Sequence, residues 1–145
     1  MTPENPALSG APAPRAVIQR FYRAVAERDA AEITNLIADA FAEDAVLRVP
    51  ATLPHGGVHE GREKISRLFS AAAKSSSALG PQNLRLVGVV ADDAAAVARL
   101  AFEWVRVPEA APQPSSALEL WTFQDERVQA IDAYYWDTSA LTSGP

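Results

Sequence analysis

The sequence predicts an α+β domain in which helices cover one face of an antiparallel sheet. Through the first half of the chain, apolar residues recur every three to four positions, which is the period of amphipathic helices. After Pro81 the period becomes two, which is typical of strands. Helices followed by consecutive strands favour this class, because a doubly wound parallel fold would alternate the two kinds of element.

The composition fits one domain with one hydrophobic core. The 145 residues are 48% hydrophobic and 21% charged, and the formal net charge is −5. This acidic balance argues against a nucleic-acid-binding surface, and no apolar run is long enough to predict a membrane span. Cysteine is absent, which excludes disulfides and thiolate chemistry. The first residues lack the layout of a secretory signal, so we expect a cytoplasmic protein.

Three helices are predicted before Pro81. A proline-rich segment over residues 1–14 has no hydrophobic period, and we expect it to be a disordered arm. The first helix begins at Arg15, and the second follows the Arg28-Asp29 pair. The third spans residues 62–75, each helix carrying an apolar stripe on one side.

Five strands are predicted, one before the third helix and four after it. They cover residues 45–49, 83–91, 95–107, 116–124 and 127–136. The segment 51–61 is dense in turn residues and is predicted to be a loop. The segment 108–114 contains prolines and is predicted to connect two strands of a hairpin.

Five short segments carry a resemblance to a known family. They are residues 17–22 (VIQRFY), 41–46 (FAEDAV), 59–65 (HEGREKI), 123–128 (FQDERV) and 134–137 (YYWD). In this order the chain resembles the nuclear transport factor 2-like superfamily and, within it, the SnoaL-like polyketide cyclases. The resemblance covers residues 15–141. It implies a cone-shaped, curved antiparallel sheet with three helices on its concave side, a small-molecule pocket, and a homodimer formed through the sheet.

The resemblance also tests activities position by position. Isomerases of this fold have an Asp before the proline that closes the first strand and a Tyr in the first helix. This chain has Val49 and Phe21 there, whereas Glu119 matches the third, acidic group of those isomerases. Epoxide hydrolases of this fold use two Asp and an Arg on the central and last strands. The matching positions read Glu103, Ala101 and Ala133, with Asp132 next to the last.

Two glutamates form the principal candidate site. If the 108–114 connection is centred near Ala111, Glu103 and Glu119 oppose each other across the hairpin, and one of them should hold a proton at neutral pH. Arg85 on the preceding strand would compensate their charge. Alternatively, these charges form salt bridges on a solvated or subunit-facing surface. Asp132 is then the catalytic candidate, because it shares a strand face with aromatic residues.

Further side chains are candidates for substrate binding. Tyr22, Trp121 and Tyr135 can line an apolar cavity, and His59 can donate a hydrogen bond near the pocket mouth. The two histidines have no nearby acids at ligand spacing, so we predict neither a metal nor a cofactor.

Acid–base chemistry on a small ligand is the leading functional hypothesis. It describes a cofactor-independent cyclase, isomerase or dehydratase that acts on a small apolar, polyketide-like carbonyl compound. The alternatives are a non-catalytic small-molecule-binding or accessory protein of the same fold, an epoxide hydrolase, and a partner-docking dimer.

Overall fold

The computed structural model describes residues 13–77 and 79–142. In chain order the elements are α1 (Pro14–Ala26), α2 (Ala30–Ala40), β1 (Phe41–Val49), β2 (Gly57–Glu60), α3 (Arg62–Lys74), β3 (Gly80–Ala91), β4 (Ala95–Val105), β5 (Gln113–Gln124), β6 (Arg127–Tyr135) and α4 (Thr138–Thr142). The first twelve residues of the predicted arm lie outside the described residues. Pro14, assigned to that arm, is instead the first residue of α1, where the missing proline N–H removes no helical hydrogen bond.

The six strands form one curved, open sheet in the order β2-β1-β6-β5-β4-β3. Helices α1, α2 and α3 pack on one side of it, which confirms the predicted α+β class. Neighbouring strands run antiparallel except β1 and β6, which are parallel. This one contact can be parallel because no hairpin joins β1 and β6 and fixes their relative direction.

An aromatic cluster fills the core where α1 meets the centre of the sheet. Phe21 and Trp121 are fully buried, with ring centroids 5.3 Å apart in an edge-to-face arrangement. Phe41 and Phe69 pack on the same Phe21 ring. The apolar stripe of α1 therefore determines which sheet face it covers, and the sheet residues opposite it are the inward ones.

Several boundaries differ from the predicted ones. Strand β1 begins at Phe41 directly after α2, and β2 lies inside the segment predicted to be a loop. A fourth helix, α4, follows β6 and is held by the Trp104 indole, whose Nε1 donates to the Leu141 carbonyl at 3.1 Å. Both unpredicted elements are short, so they present too few residues for a periodic pattern.

Candidate active site

A cavity of about 400 Å³ lies between the three helices and the concave face of the sheet. Its exposed rim is formed by the C-terminal ends of α1 and α3 and by the start of β3. Its inner end is formed by buried side chains of β1, β4 and β5 together with Tyr135 of β6. The walls are mostly apolar, so a polar group at the inner end lies in a poorly hydrated environment.

Glu119 is the acid at that inner end. It lies in the middle of β5, paired with Ala98 of β4 and Ala133 of β6, and only 7% of its surface is exposed. Its Oε1 has no hydrogen-bond partner within the described part of the chain. Burial raises the pKa of the Glu119 carboxyl to about 7. The indole N–H of Trp121 acts in the opposite sense on this pKa, but it does not reach hydrogen-bonding geometry with the carboxyl.

Tyr135 and His55 lie at the same end of the cavity. The His55 Nε2 is 3.3 Å from the Tyr135 hydroxyl oxygen, and either group can be the donor, depending on the tautomer. Burial and the nearby Glu119 charge both raise the pKa of Tyr135, so this phenol keeps its proton. Burial, with a smaller contribution from His59, lowers the pKa of His55, so the imidazole is neutral at pH 7.

The loop between β1 and β2 positions His55. Two successive turns form it, with the Leu53 N–H donating to Pro50 and the Gly56 N–H donating to Leu53. A Cβ on Gly56 would lie 2.0 Å from the Pro50 carbonyl oxygen, so this position requires glycine. The Nε2–H of His59 donates to the His55 carbonyl oxygen at 3.0 Å. His59, predicted to bind substrate, therefore supports the loop and does not line the cavity, whereas His55 does.

The predicted juxtaposition of Glu103 and Glu119 is wrong. The β4–β5 hairpin is centred between residues 108 and 109, and Glu103 pairs with Pro114 rather than with Glu119. Pro114, the observed partner, and Glu119, the predicted one, are five residues apart. Because side chains alternate between the two faces of a sheet, this odd difference places Glu103 on the face opposite to Glu119. There it accepts a hydrogen bond from the Asn83 side chain at 2.7 Å.

Two further predicted residues lie on that outer face. Asp132 accepts a hydrogen bond from the Arg48 guanidinium at 2.6 Å, in an ion pair between the parallel strands β6 and β1. Arg85 is exposed and donates to the backbone carbonyl of Asn83. Neither lines the cavity, so the expectation that Arg85 compensates the charge of a glutamate pair is also wrong.

The predicted aromatic residues divide between the cavity and the core. Tyr22 and Tyr135 line the cavity, whereas Trp121 is packed beneath it against Phe21, Tyr22 and Phe41. Their binding roles stay predictions.

Arg28 is a cavity residue that the sequence analysis missed. It follows α1 with a φ of 53°, and its Nη1 donates to the Ser75 carbonyl oxygen at 2.6 Å. The signal was present in the sequence: an arginine stands where a helix usually ends in glycine or asparagine.

The described residues give two further findings. Over residues 13–77 and 79–142, no three histidine or acidic side chains form a group able to hold a metal ion. In the same stretch, no helix has both the length and the apolar character that a membrane span requires.

Comparison with known proteins gives a family and a shared fold. Residues 18–131 match the family model described as SnoaL-like domain, and no curated protein matches the chain. Bal32a, from a soil-derived mobile gene cassette, is 20% identical with a TM-score of 0.69, covering 88% of this chain and 92% of that one. TerC, co-crystallized with polyporic acid, is 15% identical with a TM-score of 0.68, covering 89% and 97%. A Catenulispora acidiphila protein with a ketosteroid isomerase-like fold, in complex with trimethylamine, is 16% identical with a TM-score of 0.64, covering 92% and 96%.

Proposed function

This chain belongs to the SnoaL-like domain family, and we propose that it is a cofactor-independent acid–base enzyme acting on a small apolar carbonyl compound. The family's fold group includes polyketide cyclases and ketosteroid isomerases. Both kinds of reaction begin with the removal of a proton from the carbon next to a carbonyl group. A polyketide-like compound is therefore the substrate class that we propose.

The observation that carries the proposal is the Glu119 carboxyl at the inner end of an apolar cavity. With a pKa of about 7, this group is present in both protonation states near neutral pH. A group with such a pKa can remove a proton and return it, which is the requirement for general acid–base catalysis at pH 7. Among the described residues that line the cavity, Glu119 is the only acid.

In the proposed mechanism, Glu119 and Tyr135 divide the work. The ionised Glu119 carboxylate removes a proton from the carbon next to the substrate carbonyl, and the electron pair moves onto the carbonyl oxygen. The Tyr135 O–H donates to that oxygen and stabilises the developing negative charge. His55 donates from Nε2 to the Tyr135 oxygen and fixes the phenol's orientation. Glu119 then returns the proton to the same carbon, to another carbon, or to a departing oxygen.

Deuterium exchange tests the proposal without a known substrate. Small apolar ketones and diketones are incubated with the protein in D₂O, and loss of the proton next to the carbonyl is followed by NMR. We expect the wild-type protein to accelerate exchange for at least one compound and Glu119→Gln to abolish the acceleration. Glu103→Gln is the matched control, because it removes a carboxylate from the opposite sheet face. Exchange that persists in Glu119→Gln would contradict the proposal.

A non-catalytic binding protein is the second candidate. Its support is that Glu103 and Asp132 lie outside the cavity, so that Glu119 is the single carboxylate among the described residues that line it. The same experiment separates the two functions: compounds that bind in the cavity without any accelerated exchange favour a binding protein. The outer position of both acids also removes support for an epoxide hydrolase-type reaction.

We also propose that the protein forms a homodimer through the outer face of its sheet. Leu118 and Tyr134 are cross-strand partners there and are 49% and 61% exposed. Exposed apolar side chains in one patch are typical of an association surface. The cytoplasmic location stays a prediction.

A further inference from the structure

The rim of the cavity carries a positive charge. Arg28 lines the cavity where α1 ends, and Gln82 and Asn83 line it at the start of β3. Among the described residues the Arg28 guanidinium makes one hydrogen bond, from Nη1 to the Ser75 carbonyl oxygen, which leaves its other donors without a described partner. The cavity thus has a cationic rim, apolar walls, and the Glu119 carboxyl at its inner end.

No carboxylate of residues 13–77 or 79–142 forms an ion pair with this arginine. Within the described residues Arg20 and Arg48 form ion pairs, whereas Arg28 has no acidic side chain within 4 Å. The neighbouring Asp29 uses its carboxylate to cap α2, accepting the N–H of Glu32 at 3.0 Å. The guanidinium is therefore a permanently charged group that is available to pair with an anion entering the cavity.

The backbone conformation of Arg28 is one that favours glycine. Arg28 has a φ of 53°, and the N–H groups of Arg28 and Asp29 donate to Val25 and Ala24 in the double hydrogen bond that ends a helix. Glycine fits this conformation without strain, so an arginine here lowers stability. An arginine at such a position is explained when its side chain has a function.

We propose that the ligand of this cavity is an amphipathic anion, with an apolar body between the helices and the sheet and a carboxylate or similar acidic group at Arg28. This inference rests on the proposed use of the cavity and narrows the substrate class to carbonyl compounds that also carry an acid. Arg28 is then a specificity-determining residue at the rim, and Glu119 reacts with the buried end.

Two fluorescent probes of matched shape test the charge preference. Anilinonaphthalene sulfonate is an apolar anion, and N-phenylnaphthylamine has the same rings without the sulfonate. Both are titrated into the folded wild-type protein, and mutual displacement establishes that they occupy one site. We expect Arg28→Gln to weaken the sulfonate about tenfold and the uncharged probe less than about twofold. Arg28→Lys, which keeps the charge but loses the forked donors, should give an intermediate loss.

Arg23→Gln is the matched control, because it removes a positive charge from an exposed residue of α1 that does not line the cavity. It should leave both affinities unchanged. Equal weakening of both probes by Arg28→Gln, or no weakening of the sulfonate, would overturn the inference. The Glu119→Gln variant keeps the two proposals distinguishable: its exchange rate tests catalysis, while the probe affinities test only the rim.

Discussion

Replacing Glu119 by glutamine should change how the stability of the fold depends on pH. Between the ordinary glutamate value of 4.5 and the value of about 7 in the folded protein, the unfolded chain loses this proton and the folded one keeps it. The folded state therefore binds more protons in this window, and the free energy of unfolding falls as pH rises. The contribution of this carboxyl to the free energy of unfolding is fully present below about pH 4.5 and fully lost above about pH 7.

The size of this loss follows from the shift in pKa. Each unit corresponds to about 1.4 kcal/mol, so moving the carboxyl from 4.5 to about 7 corresponds to about 3 kcal/mol. The residue is almost completely buried, so solvent screening does not reduce this value appreciably. Glutamine has nearly the same shape and does not titrate. The free energy of unfolding of Glu119→Gln, measured relative to that of wild type, should therefore increase by about 3 kcal/mol as the pH is raised from about 4 to about 8.

Urea denaturation followed by tryptophan fluorescence measures this difference. Wild type, Glu119→Gln and the control Glu103→Gln are unfolded at several pH values from 4 to 8, and the free energies of unfolding are compared at each. The control should keep the wild-type loss, because its Glu119 is intact. Parallel curves for wild type and Glu119→Gln across the whole range would refute the assignment of a raised pKa to the buried Glu119 carboxyl.

Four other substitutions have defined outcomes. Gly56→Ala should lower the free energy of unfolding by about 2 kcal/mol in denaturation experiments, because its Cβ collides with a backbone carbonyl. Tyr135→Phe should reduce the deuterium-exchange rate by about a hundredfold with little change in ligand affinity, since one oxyanion donor is lost. Asp132→Asn should leave the deuterium-exchange rate unchanged, and a large loss of rate would indicate that this outer-face acid takes part in catalysis. Leu118→Lys should convert the proposed dimer to a monomer in sedimentation experiments, whereas an unchanged oligomeric state would place the interface elsewhere.

Periodicity predicted the long elements, but it could not determine the register of the hairpin between β4 and β5. The apolar side chains of β4, among them Phe102 and Trp104, face inward as their hydropathy suggests. On β5 the same criterion fails, because Leu118 and Leu120 face outward while Glu119 faces the cavity. The hairpin centre depends on how a proline-bearing connection turns, and an error of an odd number of residues exchanges the two faces.

The cavity residues show what a sequence reveals about a site and what it does not. Glu119 was predicted through the family resemblance, whereas its separation from Glu103 depended on that register. His55 and Arg28 come from a loop and a helix end far from β5 in the sequence. Their convergence at one cavity results from tertiary packing, for which local patterns carry no signal.

Direct titration of the Glu119 carboxyl is the measurement closest to the central claim. The ¹³C resonance of its carboxyl carbon, assigned by its disappearance in Glu119→Gln, is followed from pH 4 to pH 9. A buried acid at the inner end of an apolar cavity predicts a midpoint of about 7. A midpoint near 4.5, the ordinary value for glutamate, would contradict the account and remove the basis for acid–base chemistry in this cavity.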